Sequence, residues 1–222
     1  ADPALTQAWD ASLARLGQRL NLEPQHGALL DPWIRAILLS NMPLAHKDKV
    51  SDAIQLGSIP TEHCWPEMAF TLPVQRLASQ RLDQLIGQHL WPGQPRAALP
   101  RQALEGMLTG FMDLVFVHQG RYYVLDYKSN RLPDYSGVQL QQAMLAHRYD
   151  VQAALYVLAL HRLLRSRLGP SYDYERHMGG ALYLFLRGID QPGGGLLQLQ
   201  PSRALMEALD LAFGATARLE VA

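Results

Sequence analysis

The chain has 222 residues, 48% of them hydrophobic, and its twenty Lys and Arg balance twenty Asp and Glu to a formal net charge of zero. That length supports one domain with a substantial core, and the charge balance excludes a global electrostatic footprint for nucleic acid, so any such contact has to be local. The single cysteine, Cys64, excludes a disulfide framework and a cysteine-ligated iron–sulfur cluster, and fits a reducing cytoplasm.

In chain order, residues 4–20 have helical apolar spacing, with Leu5, Trp9, Leu13, Leu16 and Leu20 on one face. A second helix is predicted over 29–40, where Asp31-Pro32 is a good start signal. Residues 67–74 alternate as a strand, 75–90 read as mixed loop and helix, and 91–100, with three prolines and one glycine, read as loop. Two short strands follow over 111–117 and 122–127, joined by the turn His118-Gln119-Gly120-Arg121. After a linker at 132–137, one long helix is predicted over 138–168, closed by Gly169-Pro170. The apolar run 181–186 reads as a buried strand, 191–195 as a Gly-rich turn, and 202–219 as a final helix. The most apolar stretch, 151–164, is interrupted by Gln152, His161 and Arg162 and is too short and polar to span a membrane. No phosphate-binding Gly-x-x-x-x-Gly-Lys-[Ser/Thr] loop occurs, so the chain carries no ATP-driven motor.

The most informative segment is residues 110–130. Successive strand residues alternate faces, so Asp126 and Lys128 share one face and Tyr127 points away. With the turn centred near Gln119-Gly120, positions 113 and 126 fall opposite each other, and cross-strand neighbours lie about 5 Å apart. Asp113 and Asp126 can therefore reach one metal ion. Mg2+ takes one or two carboxylates, keeps several waters and accepts phosphate oxygens, and Mn2+ can substitute. Lys128 supplies a compact positive charge for the attacking water or the phosphate. On the long helix, Gln152 and Tyr156 lie four apart on one face, and Arg148 extends that row. They either lean over the hairpin toward the reacting strand or form a helix flank with a tyrosine packed in the core. Glu67 also has two readings: its carboxylate bonds a metal-bound water or Lys128, or it is a solvated acid on an edge strand.

Gly-Phe-Met-Asp-Leu-Val-Phe (residues 110–116) followed by Asp-Tyr-Lys-Ser-Asn (126–130) resembles the signature of the PD-(D/E)xK nucleases, and more narrowly that of the RecB nuclease family. His147 to Tyr156 is similar to the family's Gln-x-x-x-Tyr motif, and residues 172–190 and Pro66 to Phe70 extend the likeness. The resemblance implies an α/β fold with a restriction-endonuclease-like core, a central mixed sheet flanked by helices. It divides the single domain 1–222 into an N-terminal helical region (1–60), the PD-(D/E)xK core (61–190) and a C-terminal turn and helix (191–222). It implies Mg2+-dependent hydrolysis of DNA, with Asp113, Asp126 and the Tyr127 backbone carbonyl as metal ligands and Lys128, Glu67, Gln152 and Tyr156 assisting. It further implies work at double-strand ends with a helicase in the same polypeptide, with RecC and RecD subunits, and with the RecA recombinase.

One departure above all qualifies that expectation, and a second is the segment between Asn130 and Gln152, which is expected to be shorter than in some relatives. The family adds a histidine ligand from a helix near the domain's N-terminus, whereas His26, His46 and His63 stand in no matching helical context. The chain opens Ala-Asp-Pro rather than with Met, so it is expected to be an excised piece that begins downstream of that ligand. The competing expectation is a catalytically weak docking module for RecC or RecA. A restriction-type endonuclease is disfavoured because no base-reading element is identifiable.

Overall fold

The computed structural model describes residues 3–46 and 49–214. Among these, the strands are β1 (Met42–His46), β2 (Lys49–Ile54), β3 (Cys64–Ala78), β4 (Ala103–His118), β5 (Arg121–Lys128), β6 (Met178–Phe185) and β7 (Leu196–Leu199). The helices are α1 (Pro3–Arg19), α2 (Pro24–Gly27), α3 (Leu30–Leu39), α4 (Ser79–His89), α5 (Gly137–Ala146), α6 (Tyr149–Leu168), α7 (Tyr174–His177) and α8 (Arg203–Ala212). β3 to β7 form one mixed sheet in sequential order, antiparallel throughout except for the parallel pair β5–β6. The return from β5 to β6 runs through α5, α6 and α7, as a parallel neighbour requires. This is the α/β architecture of a central mixed sheet with flanking helices that the resemblance implies.

β6 explains the layering. Its run Met-Gly-Gly-Ala-Leu-Tyr-Leu-Phe is buried at every position, which a strand achieves only when both faces are covered. Tyr183 and Phe185 belong to the larger apolar cluster, with residues of α4, α5, α6 and α8, while Leu182 and Leu184 join Phe116, Tyr123 and Leu125 beneath α3 and the β1–β2 hairpin. α6, with Ala153, Val157, Leu158 and Leu160 fully or almost fully buried, is the helix that packs deepest.

Several expectations need correction. The single helix over 138–168 is two helices, because Arg148 adopts a left-handed backbone (φ 57°) between α5 and α6. Its guanidinium pays for that turn with bonds to Asp83 Oδ1 (2.6 Å), Asp150 Oδ1 (3.1 Å) and the Ala97 carbonyl (2.7 Å). β3 continues past residue 74 to Ala78 through a register shift between Val74 and Leu77. The region 1–60 carries the β1–β2 hairpin as well as helices, and the segment after residue 190 contributes β7 to the main sheet. Two glutamines tie these additions together: Gln198 accepts from the Ala45 N–H (2.7 Å) and Gln200 donates to the Ala45 carbonyl (2.6 Å). The final helix, capped at its start by Ser202, stops at Ala212, and Gly214 has φ 78°; the remainder of the predicted helix, 215–219, lies outside the described residues.

Candidate active site

The hairpin forms in the register that its sequence dictates. Gln119 and Gly120 both take positive φ (48° and 76°), the twist that a two-residue hairpin turn needs. The pairs His118↔Arg121, Phe116↔Tyr123 and Leu114↔Leu125 all keep the same offset, and the next pair in that offset is Asp113 and Asp126. The ladder ends one step before it. In place of a strand bond, Asp113 Oδ2 accepts the backbone N–H of Tyr127 at 2.9 Å, so the two strands part where the carboxylates face one another. β4 continues with β3 alone.

β3 bends at the same point. Glu67 lies between the pairs Pro66↔Leu114 and Met68↔Met112, opposite Asp113, with φ 49°. The burial pattern slips by one residue here: Leu108 and Met112 pack with the α6-side cluster, but beyond Asp113 it is Val115 that does so. A two-residue repeat cannot change faces without such a break.

Asp126 is only 3% exposed. Burial pushes its carboxyl above the usual carboxylate range, the Lys128 ammonium opposes that shift, and the Asp113 charge adds to it. Lys128 Nζ lies 2.6 Å from Asp126 Oδ1 as an ion pair, and this buried oxygen has no further hydrogen-bond partner among the described residues. The ammonium also donates to Gln152 Oε1 (3.0 Å). Gln152 Nε2 donates to the Tyr156 hydroxyl (2.8 Å), which donates to the Phe111 carbonyl (2.8 Å). Burial, and next the charge of Asp126, raise the Tyr156 hydroxyl far above its ordinary pKa, so it remains a donor. Tyr127 is turned to the other face, where burial pushes it up to about 12.

The structure thus brings together Asp113, Asp126, Lys128, Gln152 and Tyr156: Gln152 meets the hairpin at Lys128, and Tyr156 bonds the Phe111 carbonyl while its ring packs in the core. Glu67 is exposed, opposite Asp113 in the strand register, and makes no side-chain bond to Lys128, whose partners are Asp126 and Gln152. Arg148 does not extend the Gln152–Tyr156 row but turns to Asp83 and Asp150. Two residues were not singled out in the sequence. The Tyr149 ring lies 3.9 Å and the Tyr183 ring 5.4 Å from Lys128 Nζ. A tyrosine inside the otherwise apolar run of β6 was the available signal, since a buried hydroxyl requires a partner.

The histidine candidates stay apart from this cluster. His26 is exposed on the one-turn helix α2 and lines a groove with Leu29, Trp33 and Asp190, and His63 is exposed before β3. The His46 side chain lies outside the described residues. Among the described residues no group of three or more His, Cys, Asp and Glu is placed to hold a metal. Two facing carboxylates, one with a buried oxygen whose partner is the Lys128 ammonium, nonetheless fit an ion of the Mg2+ type, which takes one or two carboxylates and completes its shell with water and phosphate.

Sheet order, parting hairpin and acid–lysine pair together describe a nuclease of the restriction-endonuclease-like class. The PD-(D/E)XK nuclease superfamily model matches residues 6–218, and the chain belongs to that superfamily. More narrowly, it is similar to the RecBCD enzyme subunit RecB of Escherichia coli strain K12, 42% identical over 96% of this chain and 18% of that one. RecB of Haemophilus influenzae is 36% identical over 90% of this chain and 16% of its own length, and RecB of Mycobacterium tuberculosis 33% over 85% and 19%. The chain therefore spans less than a fifth of the length of these relatives. No described helix is long and apolar enough to cross a membrane.

Proposed function

We propose that the chain is the nuclease domain of a RecBCD-type helicase–nuclease and hydrolyses DNA phosphodiesters with a divalent ion, Mg2+ or in its place Mn2+. The observation that carries this reading is the facing pair Asp113 and Asp126 at the point where the hairpin parts, with Lys128 beside them. Asp113 and Asp126 would hold the ion, with the backbone carbonyl of Tyr127. A strand residue turns its N–H and C=O toward the same neighbour, and the Tyr127 N–H already meets Asp113. When bound, a divalent ion supplies a water of lowered pKa and a counter-charge for the phosphate.

The side chains do the rest. Lys128, held by its bond to Gln152, would present its ammonium to the attacking water and the phosphate. Tyr156 fixes the amide of Gln152 so that its oxygen, not its nitrogen, faces Lys128. Glu67, exposed across from Asp113, would bond an ion-bound water. The similarity to RecB carries the wider setting: DNA double-strand ends as substrate, RecC and RecD as partners, RecA as a recipient of the processed strand, and the cytoplasm as compartment.

A second reading, a weak or silent nuclease that serves as a docking module for RecC or RecA, draws on the absence of a three-ligand cluster among the described residues and on the neutral charge balance. Asp126→Ala in the assembled helicase–nuclease separates the two. Loss of DNA degradation with unwinding retained is expected; degradation at the wild-type rate would reject the nuclease assignment.

A further inference from the structure

The ion pair between Lys128 and Asp126 raises a problem for the proposed chemistry. If Asp126 turns to a divalent ion, the ammonium loses its nearest counter-charge, yet it must stay beside the reacting phosphate. Its side chain is only 11% exposed, so water cannot take over as the main partner. Gln152 Oε1 remains as an uncharged acceptor, so a further partner has to stabilise the charge.

We propose that Tyr149 and Tyr183 form an aromatic seat for Lys128 and act as positioning residues for it, an inference that rests on the nuclease reading above. The ammonium stands over the face of Tyr149 at 3.9 Å from the ring centroid and 5.4 Å from that of Tyr183, both within the range in which a ring face attracts a cation. The two rings lie 6.0 Å apart and nearly parallel, at 19°, and His147 stacks on Tyr149 at 5.3 Å and 21°. Tyr183 is fully buried on β6, where it pairs with Asp126 in register. Its hydroxyl reaches both the Tyr149 carbonyl and Gln152 Oε1 at 3.2 Å. One tyrosine thus ties together the strand that carries Asp126, the first turn of α6 and the amide that accepts from Lys128.

The arrangement separates two duties. Asp126 is a partner that can be given up to an ion, whereas ring faces carry no lone pairs that a hard divalent cation prefers over carboxylate oxygens. The aromatic grip therefore persists whichever partner Asp126 takes. Tyr149 suits this role because its own hydroxyl makes only a long contact, 3.4 Å to Asn130 Oδ1, so the ring, and not the hydroxyl, is what the position uses.

The test combines a spectroscopic signature with kinetics. In the NMR spectrum of the chain, the Lys128 side-chain methylene protons are expected upfield of ordinary lysine positions because of the ring currents. Tyr149→Leu should move them back while Tyr149→Phe leaves them in place, and addition of Mg2+ should not abolish the upfield shift. In the assembled enzyme, Tyr149→Leu should lower kcat for DNA cleavage by about 10- to 100-fold with KM for DNA little changed, and Tyr149→Phe should restore it. Fluorinated phenylalanines at position 149, which drain the ring face at nearly constant shape, guard against a folding defect: kcat should fall in step with fluorination. A flat fluorination series, or unshifted Lys128 signals in the wild type, overturns the seat. If wild-type cleavage itself is absent while the upfield signals are present, it is the nuclease reading that fails and not the seat.

Discussion

Replacing Asp150 by alanine should loosen the start of α6 and, with it, the active site. The Asp150 carboxylate has no exposed surface and accepts from Arg96 Nη1 at 2.9 Å and from Arg148 Nε and Nη2 at 3.1 and 3.3 Å. Removing one partner of a buried ion pair costs about 3–5 kcal/mol, because the other charge is left uncompensated. Both guanidiniums retain other acceptors, however: Arg96 bonds the Leu90 and Trp91 carbonyls, and Arg148 bonds Asp83 and the Ala97 carbonyl. The loss should therefore sit at the lower end, about 3 kcal/mol. In urea, with a slope of roughly 2–3 kcal/mol/M, this moves the unfolding midpoint down by about 1 M at unchanged slope. Because Gln152 lies two residues further along the same turn, the Lys128–Gln152 bond should weaken too, visible as broadening of the Gln152 side-chain amide signals. A midpoint shift worth less than about 1 kcal/mol would refute the claim that this network fixes the left-handed turn at Arg148.

Two further outcomes follow from packing and titration. A Cβ at Gly110 would lie 2.7 Å from the Phe70 ring, which packs edge-on against Tyr156 at 5.6 Å; Gly110→Ala should cost about 1–3 kcal/mol of stability and, by thermal melting and cleavage assay together, lower both Tm and activity through displaced Tyr156. His161 is buried with Nδ1 2.7 Å from the Tyr172 hydroxyl, and burial, then Arg165, pushes its pKa down to about 4. The unfolded chain then binds a proton near pH 6.5 that the native protein refuses until about pH 4, so stability is full above pH 6.5 and falls by about 3 kcal/mol on acidification through that window; His161→Gln should flatten the window in pH-dependent urea unfolding, and an unaltered slope would contradict the buried neutral imidazole.

How much of this was legible in the sequence differs by element. The hairpin register followed from the turn pair Gln119-Gly120 and the two-residue repeat, and these local rules also placed Asp113 opposite Asp126. The four-residue spacing of Gln152 and Tyr156 put both on the face that meets the hairpin, Gln152 at Lys128 and Tyr156 at the Phe111 carbonyl. The break at Arg148 was not legible, because no Gly or Pro marks it and the left-handed turn is held by Asp83, Asp150 and the Ala97 carbonyl, one of them 65 residues away in sequence. The face change at Glu67 and Asp113 was hidden for the same reason: it belongs to the β3–β4 pairing and not to either strand alone. The aromatic seat joins residues 128, 149 and 183, a contact set by the parallel β5–β6 pair that no short-range pattern encodes. The β1–β2 hairpin and β7 were not legible because their strands are short, and β7 is completed only by its pairing with β6.

The central claim is that Asp113 and Asp126 together form a divalent-cation site beside Lys128. Calorimetric titration of the chain with Mn2+ or Mg2+, repeated on Asp113→Ala, tests it most directly. Saturable heat in the wild type that disappears in the variant is the predicted result; equal heat in both, or none in the wild type, would contradict it.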